Sequence, residues 1–449
     1  MATKAAPTTL KKVPGGVQLG YYRNPIGVLR NAAKRWGDVC YVDGGRYRLY
    51  VVSHPDYINE VLVTNHKSFA KGSPRTKRVL GEGLLTSDGD FHHGQRRMIQ
   101  PAFHQNRIAS YAKIMTDFTD HIIGEWKDGE VLDIHREMSR ITMAIVAKCL
   151  FDADVEAESR AIGKELSEIM VYFNRLAGPL GLVMDRLPLP SNKKFREAVQ
   201  RLDETVYGFI RERRESGRNP GDLLSMLLSA QDAQGGLMSD KQVRDEAMTL
   251  FLAGHETTAN ALTWAWYLIS QNPTVGEKLH DEVVDALPGG RLPTVEDIHR
   301  LPFTSKVFTE AIRLYPPAWA IGRHAVKDSA IGGFFIPAGS TIVLSQYVTQ
   351  HDPRFYDDPE AFKPERWTPE MENKLPDFAY FPFGGGPRGC VGESFAKMEG
   401  IVILSTIARK WRMEHASGHK VKLVPRITLR PKYGMQMKVT RRLAGTASA

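Results

Sequence analysis

The 449-residue sequence contains only three cysteines, Cys40, Cys149 and Cys390. They show no pairing pattern, which argues against a disulfide-stabilised secreted protein and favours a reducing compartment. A structural zinc or iron–sulfur site would need roughly three or four cysteine or histidine ligands at short spacing. The three cysteines lie far apart in the sequence and do not form such a set. The first 16 residues have no apolar run long enough for a signal peptide or a membrane span. We therefore expect a cytoplasmic protein without a membrane anchor.

The sequence also lacks Ser/Gly linkers, internal repeats and low-complexity blocks. With 42% hydrophobic and 25% charged residues it has an ordinary globular composition, although length alone would suggest two or three domains. The net charge of +9 could reflect nucleic-acid binding, an acidic redox partner or simple solubility. No basic helix or aromatic-interleaved patch accompanies it, so we expect no nucleic-acid partner.

What the sequence does contain is a glycine-rich stretch around one cysteine, FGGGPRGCVG at residues 383–392. Its glycines and proline cannot continue a helix or a central strand, so they predict a loop with few side chains. The run from Glu393 has helical character, which places Cys390 near a helix N-terminus and two residues after Arg388. Both features favour a thiolate that could bind a soft metal. A buried apolar cysteine is the simpler interpretation, and a phosphate-binding loop would need a lysine and a Ser/Thr that are absent.

Helical patterns dominate the remaining sequence, with strand patterns near both ends. Helices are predicted at residues 25–36, 55–63, 90–103, 275–286 and 304–314, and over 108–215 with breaks at 178–179 and 187–190. A hairpin is predicted at 39–52, and strands at 331–347 and 421–440. The longest helix begins at a capping box, Ser239 to Gln242, and ends before Pro273. The fold class is therefore predicted as mainly α with a small β region.

The centre of the longest helix carries its poorest helix formers, in the string AGHETT at residues 253–258. Gly254 costs about 1 kcal/mol relative to alanine, and the adjacent threonines Thr257 and Thr258 add to that cost. Such a local conflict is typical of a functional site. A tolerated glycine beside threonines that bond to their own helix explains the string equally well.

Four patterns together resemble the cytochrome P-450 monooxygenases, and the resemblance covers nearly the whole chain. FxxGxRxCxG at residues 383–392 is similar to the family's haem-ligand loop, and AGHETT to its oxygen-binding helix motif. Glu310 and Arg313 match the family's ExxR pair. The segment PERW at residues 364–367 matches its PERF segment, with tryptophan in place of phenylalanine.

The resemblance implies a single-domain cytochrome P-450 fold over residues 14–440, with a flexible tail at 1–13 and a disordered tail at 441–449. It implies haem b as the cofactor and Cys390 as the iron ligand. Glu310, Arg313 and Arg366 would form a buried charge cluster that braces the cysteine loop. Further cofactor-binding residues would be His92, which stands where tryptophan is common, and Arg96, Gly254, Arg323, Phe383, Arg388 and Gly392.

The implied activity is insertion of one atom of O2 into a C–H bond of a lipophilic molecule such as a fatty acid, terpenoid or steroid. Glu256 and Thr257 would manage the protons, Ala253, Trp319 and Ala320 would line the pocket, and residues 165–195 would form its roof. No flavin or nicotinamide fingerprint is present, so a separate ferredoxin or flavodoxin with its reductase would supply electrons, docking near Arg388, Lys397 and Arg409. A gas sensor or haem electron carrier would not need the Glu256–Thr257 pair, and peroxide-driven or isomerising relatives typically lose it.

Overall fold

The computed structural model describes residues 11–13, 20–21, 23–43, 48–71, 77–152, 187–232 and 234–442, together with eight positions between 165 and 185. Helices form most of this part of the chain, and small sheets are assembled from segments near both ends. The predicted predominance of helix with a small β region is confirmed. Within the described residues, no helix combines the length and apolar character that crossing a bilayer requires.

The α-helices pack around one long central helix, α9. Their bounds are α1 Pro25–Trp36, α2 Pro55–Asn59, α3 Lys77–Leu80, α4 Gly89–Ile99, α5 Gln105–Gly124, α6 Ile134–Phe151, α7 Pro190–Ser216, α8 Leu223–Ser229, α9 Asp240–Gln271, α10 Pro273–Ala286, α11 Pro302–Leu314, α12 Gln346–Thr349, α13 Pro369–Lys374 and α14 Glu393–Lys410. A π-helical turn, Glu60–Thr64, continues α2, and 3-10 turns lie at Gln100–Phe103 and Gly386–Arg388.

The largest sheet has the strand order β1-β2-β3-β9-β6-β4, and a second sheet has the order β10-β13-β5. Two hairpin-like pairs, β7-β8 and β11-β12, complete the β region. The strand bounds are β1 Lys11–Val13, β2 Val39–Asp43, β3 Arg48–Val52, β4 Phe69–Ala70, β5 Val131–Asp133, β6 Ile321–Ala325, β7 Ser329–Ile331, β8 Phe334–Ile336, β9 Thr341–Leu344, β10 Trp411–His415, β11 Leu423–Pro425, β12 Leu429–Pro431 and β13 Gln436–Arg441.

Helix α9 begins at the predicted capping box. The Gln242 backbone N–H donates to Ser239 Oγ at 3.3 Å, and the Ser239 N–H donates to Gln242 Oε1 at 2.8 Å, so two otherwise unpaired donors are satisfied. Most of its side chains are buried on all sides, including Trp264 and Trp266. Helices α6, α7, α11 and α14 pack against it. The motif at residues 253–258 therefore lies at the centre of the main core.

The prediction of a flexible tail at residues 1–13 is wrong for its last three residues. Lys11–Val13 pairs in parallel with Cys40, Tyr41 and Val42 and forms strand β1. At the other end, Arg441 closes strand β13 opposite Trp411. Edge pairing satisfies the backbone N–H and C=O groups of these residues. Residues 1–10 and 443–449 lie outside the described part of the chain.

Five strands were missed, namely β1, β4, β5, β6 and β10, and one was predicted too long. Val131–Asp133, in a stretch predicted as helix, forms β5 against β13. Trp411–His415 forms β10. The strand predicted to reach residue 347 ends at Leu344, where Ser345 caps α12. The break predicted at 178–179 and 14 of the 31 residues of the predicted roof at 165–195 lie outside the described residues.

Candidate active site

The loop that carries Cys390 packs closely against the π-helical turn Glu60–Thr64. Gly384 and Gly386 have φ values of +72° and +63°, a region that side-chain-bearing residues rarely occupy. A Cβ at Gly386 would also lie 2.0 Å from the carbonyl oxygen of Leu62. The Cys390 N–H donates to the Phe383 carbonyl oxygen at 2.9 Å and closes the loop. The glycines are thus required both for the turn and for its close approach to the π-helical turn.

Cys390 is chemically distinct from the other two cysteines, all three of which lie within the described residues. Cys40 and Cys149 are buried, whereas Cys390 is exposed. Although part of its surface is accessible, the Cys390 sulfur is surrounded by protein atoms, and this desolvation raises the pKa of the thiol. The charge of Glu393 also raises it, while the N–H of Gly392 and the charges of Arg96 and Lys71 lower it. Gly392 caps helix α14. An accessible sulfur beside cations and a helix N-terminus is suited to act as an anionic ligand.

Arg388 and Arg96 fix the cysteine loop to helix α4 and the residues before it. Arg388 donates through Nη2 to the Ser87 carbonyl oxygen and to Asp88 Oδ1. Its Nη1 is buried and has no hydrogen-bond acceptor among the described residues. Arg96 donates from Nη1 to the Gly389 carbonyl oxygen at 2.6 Å. The unsatisfied Nη1 marks a position where an anion would be stabilised.

Two further cations lie close to Arg388. Arg323 is buried, and burial together with the charge of Arg388 lowers its pKa to about 10. Burial, Arg323 and Arg388 lower the pKa of the Lys71 ammonium to about 7, and Asp88 and Cys390 partly oppose this. The carboxylate of Asp88 interacts with these cations and raises the pKa of both Lys71 and Arg323. The excess of positive charge predicts that the region receives an anionic ligand.

His92 is buried beside the same cations. Burial first, then Arg388, His93 and Arg96, lower its pKa to about 4. At neutral pH the imidazole is therefore an uncharged N–H donor. His92 remains a predicted cofactor-binding residue, and in this uncharged form it would contribute a hydrogen bond without positive charge.

The predicted charge cluster is present, with Glu310 and Arg313 fully buried and the Arg366 side chain 8% exposed. Glu310 and Arg313 are 0% exposed and make two bonds of 2.8 Å, from Arg313 Nε and Nη2 to the two Glu310 oxygens. Arg366 Nε donates to Glu310 Oε1 at 2.9 Å, and Trp367 Nε1 donates to Glu310 Oε2 at 2.9 Å. The tryptophan that replaces phenylalanine in the PERF pattern therefore supplies an additional hydrogen bond to the carboxylate.

The cluster connects to the cysteine loop through Gln350. This side chain donates from Nε2 to the Arg313 carbonyl oxygen at 2.9 Å and accepts the Phe381 N–H through Oε1 at 3.2 Å. Tyr380 Oη donates to the Thr309 carbonyl oxygen at 3.3 Å. The turns that lead into the loop, at Tyr380 and Phe381, are thus connected to helix α11 directly through Tyr380 and indirectly through Gln350.

At the centre of α9 the helix is continuous through Gly254. Thr257 Oγ1 donates to the Ala253 carbonyl oxygen at 2.7 Å, and Thr258 Oγ1 to the Gly254 carbonyl oxygen at 3.2 Å. A Cβ at Gly254 would lie 3.2 Å from Val146 Cγ2 of α6, a tight contact. Close packing of α6 and α9 thus accounts for this glycine.

Glu256 points away from these threonines toward the turn before β12. Its Oε1 accepts a hydrogen bond of 2.6 Å from Thr428 Oγ1. Burial raises the pKa of the Glu256 carboxyl, while Thr428 and the charge of Arg430 lower it. Such a carboxyl can exchange protons close to neutral pH more readily than an exposed one.

The predicted pocket residues divide into two groups. Ala253 is exposed and Ala320 is partly exposed, as a pocket lining requires. Trp319 is instead packed in a core cluster with Leu29, Val51 and Leu429, and its Nε1 donates to the Arg426 carbonyl oxygen at 2.8 Å. The expectation for Trp319 is therefore corrected to a core position, because its indole is committed to packing on both of its sides.

The predicted docking residues also need correction. The side chains of Arg388 and Arg409 are only 15% and 12% exposed, since the first bonds Asp88 and the second lies near Asp120. Lys397 is exposed and pairs with Glu393 at 2.7 Å. Because the side chains of Arg388 and Arg409 are mostly buried, they contribute little to the basic docking surface that was predicted.

Three residues of the site were not predicted. Lys71 has no local motif, and only the fold brings it to Arg323 and Arg388. Glu399 is completely buried on α14 beside Thr258, and burial raises its pKa to about 8. Glu399 lies nine residues after Cys390, on the buried face of helix α14. An acidic residue among the apolar residues of such a face is a signal that the sequence offered. Thr428 lies in a short turn whose contact with Glu256 has no sequence signature.

Comparisons with known proteins agree with this geometry. The chain matches the Cytochrome P450 family over residues 10–439. It is 38% identical to cyclooctatin synthase of Streptomyces melanosporofaciens over 93% of this chain and 92% of that protein. It is 36% identical to cyclooctat-9-en-7-ol 5-monooxygenase of the same organism, over 92% and 91%. Pentalenene oxygenase of Streptomyces avermitilis is 32% identical over 91% of each chain.

A solved structure shows that the fold is also shared. The crystal structure of the cytochrome P450DA heme domain superposes with a TM-score of 0.86 and 26% identity, covering 97% of this chain and 98% of that one. An exposed thiol, a buried arginine nitrogen without an acceptor and a surplus of cations fit a haem with its two carboxylates. The chain belongs to the cytochrome P450 family and is a haem-dependent monooxygenase.

Proposed function

We propose that this monooxygenase inserts one oxygen atom from O2 into a C–H bond of a terpenoid. The similarity to cyclooctatin synthase, at 38% identity over more than nine-tenths of both chains, is the observation that carries this choice of substrate class. Two further relatives with more than 30% identity are named for oxidising cyclooctat-9-en-7-ol and pentalenene. Fatty acids and steroids are the less favoured classes.

Cys390 is the proposed iron ligand, because its sulfur is the accessible one and is supported by the Gly392 N–H. Arg388, Arg323, Arg96 and Lys71 would hold the haem carboxylates, and His92 would add an uncharged hydrogen bond. The haem, when bound, supplies the iron at which dioxygen is activated. Phe383 accepts the Cys390 N–H through its carbonyl oxygen and so fixes the loop.

Glu256 and Thr257 are proposed to manage protons. Thr257 Oγ1 carries one hydrogen and can present it to a ligand only after releasing the Ala253 carbonyl oxygen. Glu256 can take up and return protons because burial raises its pKa from the usual carboxyl range. Positioned proton transfer of this kind is commonly worth about 10²–10⁴-fold in rate.

Electrons are proposed to come from a separate ferredoxin or flavodoxin with its reductase, and the cytoplasm remains the expected location. The basic side chains exposed near the cysteine loop and α4 are Lys67, Arg97 and Lys397. They are better candidates for contacting an acidic carrier than the buried Arg388 and Arg409.

The substrate class is tested by titrating the haem-loaded enzyme with cyclic terpenes, fatty acids and steroids and recording the low-spin to high-spin change of the haem spectrum. Terpenes should give the saturable change at the lowest concentration, and Ala253→Phe should weaken it without altering haem content. Thr263→Val, a buried substitution on the same helix, is the matched control. A saturable response confined to fatty acids or steroids would reject the terpenoid assignment.

A further inference from the structure

Glu256 stands at the end of a chain of buried polar side chains contributed by three separate parts of the fold. Thr428 Oγ1, in the turn before β12, donates to Glu256 Oε1 at 2.6 Å. Asn260, one turn further along α9, donates from Nδ2 to Thr428 Oγ1 at 3.4 Å. His135 Nε2, at the start of α6, lies 3.2 Å from Asn260 Oδ1. Asn260 is 0% exposed and Thr428 is 8% exposed.

The hydrogen bonds of this chain all run in one direction. The single hydrogen of Thr428 goes to Glu256, so its oxygen must accept, and the amide group of Asn260 faces it. The carbonyl oxygen of Asn260 then faces His135, which requires a hydrogen on Nε2. Each donor therefore points toward the Glu256 carboxylate, and aligned hydrogen bonds polarise one another.

The far end of the chain is anchored. The His135 backbone N–H donates to Asp133 Oδ1 at 3.1 Å, and the same oxygen accepts the Met435 N–H at 2.8 Å. The positive charge of Arg430, on β12, lowers the pKa of both Glu256 and His135. His255 on α9 also interacts electrostatically with His135, so Asp133, Arg430 and His255 are the charged or titratable groups that meet this end of the chain.

We propose that Thr428, supported by Asn260 and His135, is a positioning residue that orients the Glu256 carboxylate and keeps it ionised despite its burial. The inference rests on the proton-managing role proposed above for Glu256. Thr428 does not touch the reacting atoms, because it acts through Glu256. Without its hydroxyl the carboxylate loses the hydrogen bond from Thr428, and the neutral acid becomes more favoured.

The test is a pH titration of the carboxyl C=O stretch by infrared difference spectroscopy on the substrate-free, haem-loaded enzyme. Glu256→Gln assigns the band, since buried Glu246 and Glu399 contribute bands of their own. Thr428→Val keeps the shape and removes the hydroxyl, and it should raise the Glu256 midpoint by about one to two pH units. Thr428→Ser retains the hydroxyl and should restore the original midpoint.

Two further variants keep the test decisive. Thr263→Val is the matched control, because Thr263 is buried on α9 and donates only to the Ala259 carbonyl oxygen at 2.6 Å. It should leave the midpoint unchanged. If Thr428→Val does not fold, His135→Phe breaks the chain at its partly exposed end and should shift the midpoint in the same direction by a smaller amount. An unchanged midpoint in the variants that fold overturns the proposal, whichever substrate class the enzyme proves to accept.

Discussion

The hydroxyl of Thr257 and the carbonyl oxygen of Ala253 are joined by a hydrogen bond of 2.7 Å within helix α9. The alcohol that the family resemblance assigns to proton delivery thus uses its one hydrogen on its own helix. Ala253 is exposed at this point, so its carbonyl oxygen and Thr257 lie on the side of the helix that is not packed against protein. Proton delivery then requires this bond to be exchanged for one to a ligand.

Thr257→Ala should divert reducing equivalents from product to hydrogen peroxide, because the hydroxyl that would guide protons is lost. Haem content and substrate binding should stay largely intact, and Glu256→Gln should mainly slow turnover. The measurement is product formed per NAD(P)H consumed, with peroxide assayed in parallel. Thr263→Ala removes a similar helix-bonded hydroxyl and should keep coupling normal. Normal coupling in Thr257→Ala would place the proton path elsewhere.

Cys390→Ala should abolish the thiolate-type spectrum of the reduced carbon monoxide complex. Cys40→Ala and Cys149→Ala are the controls, since both thiols are buried and burial raises the pKa of each. These two variants should keep the spectrum. Its survival in Cys390→Ala would contradict the assignment of the iron ligand.

Glu310→Ala should yield little haem-loaded protein. The substitution leaves the buried Arg313 and the nearly buried Arg366 without their carboxylate, and breaking such buried pairs typically costs about 3–5 kcal/mol. Haem content and melting temperature are the measurements. Lys113→Ala breaks an exposed pair with Asp117 and should change stability by less than about 1 kcal/mol. Equal melting temperatures for the two variants would show that the buried cluster is dispensable.

His351 should make the protein sensitive to mild acid. Burial, chiefly, and the charge of Arg313 lower its pKa to about 3, so the folded protein holds the neutral imidazole that stacks on Tyr347. Its stabilisation is complete above the unfolded-state pKa near 6.5 and is lost as pH falls toward the folded-state pKa, by about 2 kcal/mol at pH 5. His351→Gln should reduce the drop in melting temperature between pH 7 and pH 5. An identical drop in the variant would mean that other groups dominate acid unfolding.

The parts of the site that sequence could predict are those whose chemistry is local. The glycines before Cys390, the capping box of α9 and the spacing of Glu310 and Arg313 each restrict the backbone or place two side chains on one face, and all three are found as expected. Because each is complete within a few residues, no knowledge of the remaining chain is needed.

The missed features depend on residues that are distant in sequence. Lys71 acquires its lowered pKa because the fold buries its ammonium group and brings Arg323 and Arg388 beside it. Trp319 was expected to face a pocket, but an apolar aromatic residue has the same pattern in a core as in a binding site. Strand β5 has three residues, too few for any periodicity to be recognised.

That short strand also constrains how the protein is made. Val131–Asp133 pairs with Gln436, Met437 and Lys438, which leave the ribosome about 300 residues later, so the sheet stays incomplete for roughly 15–60 s at ordinary rates of translation. Cys390 itself also emerges late, after Glu310 and Arg366, which pair with each other in the folded protein. A haem held by Cys390 can therefore bind only after both members of that pair have been synthesised.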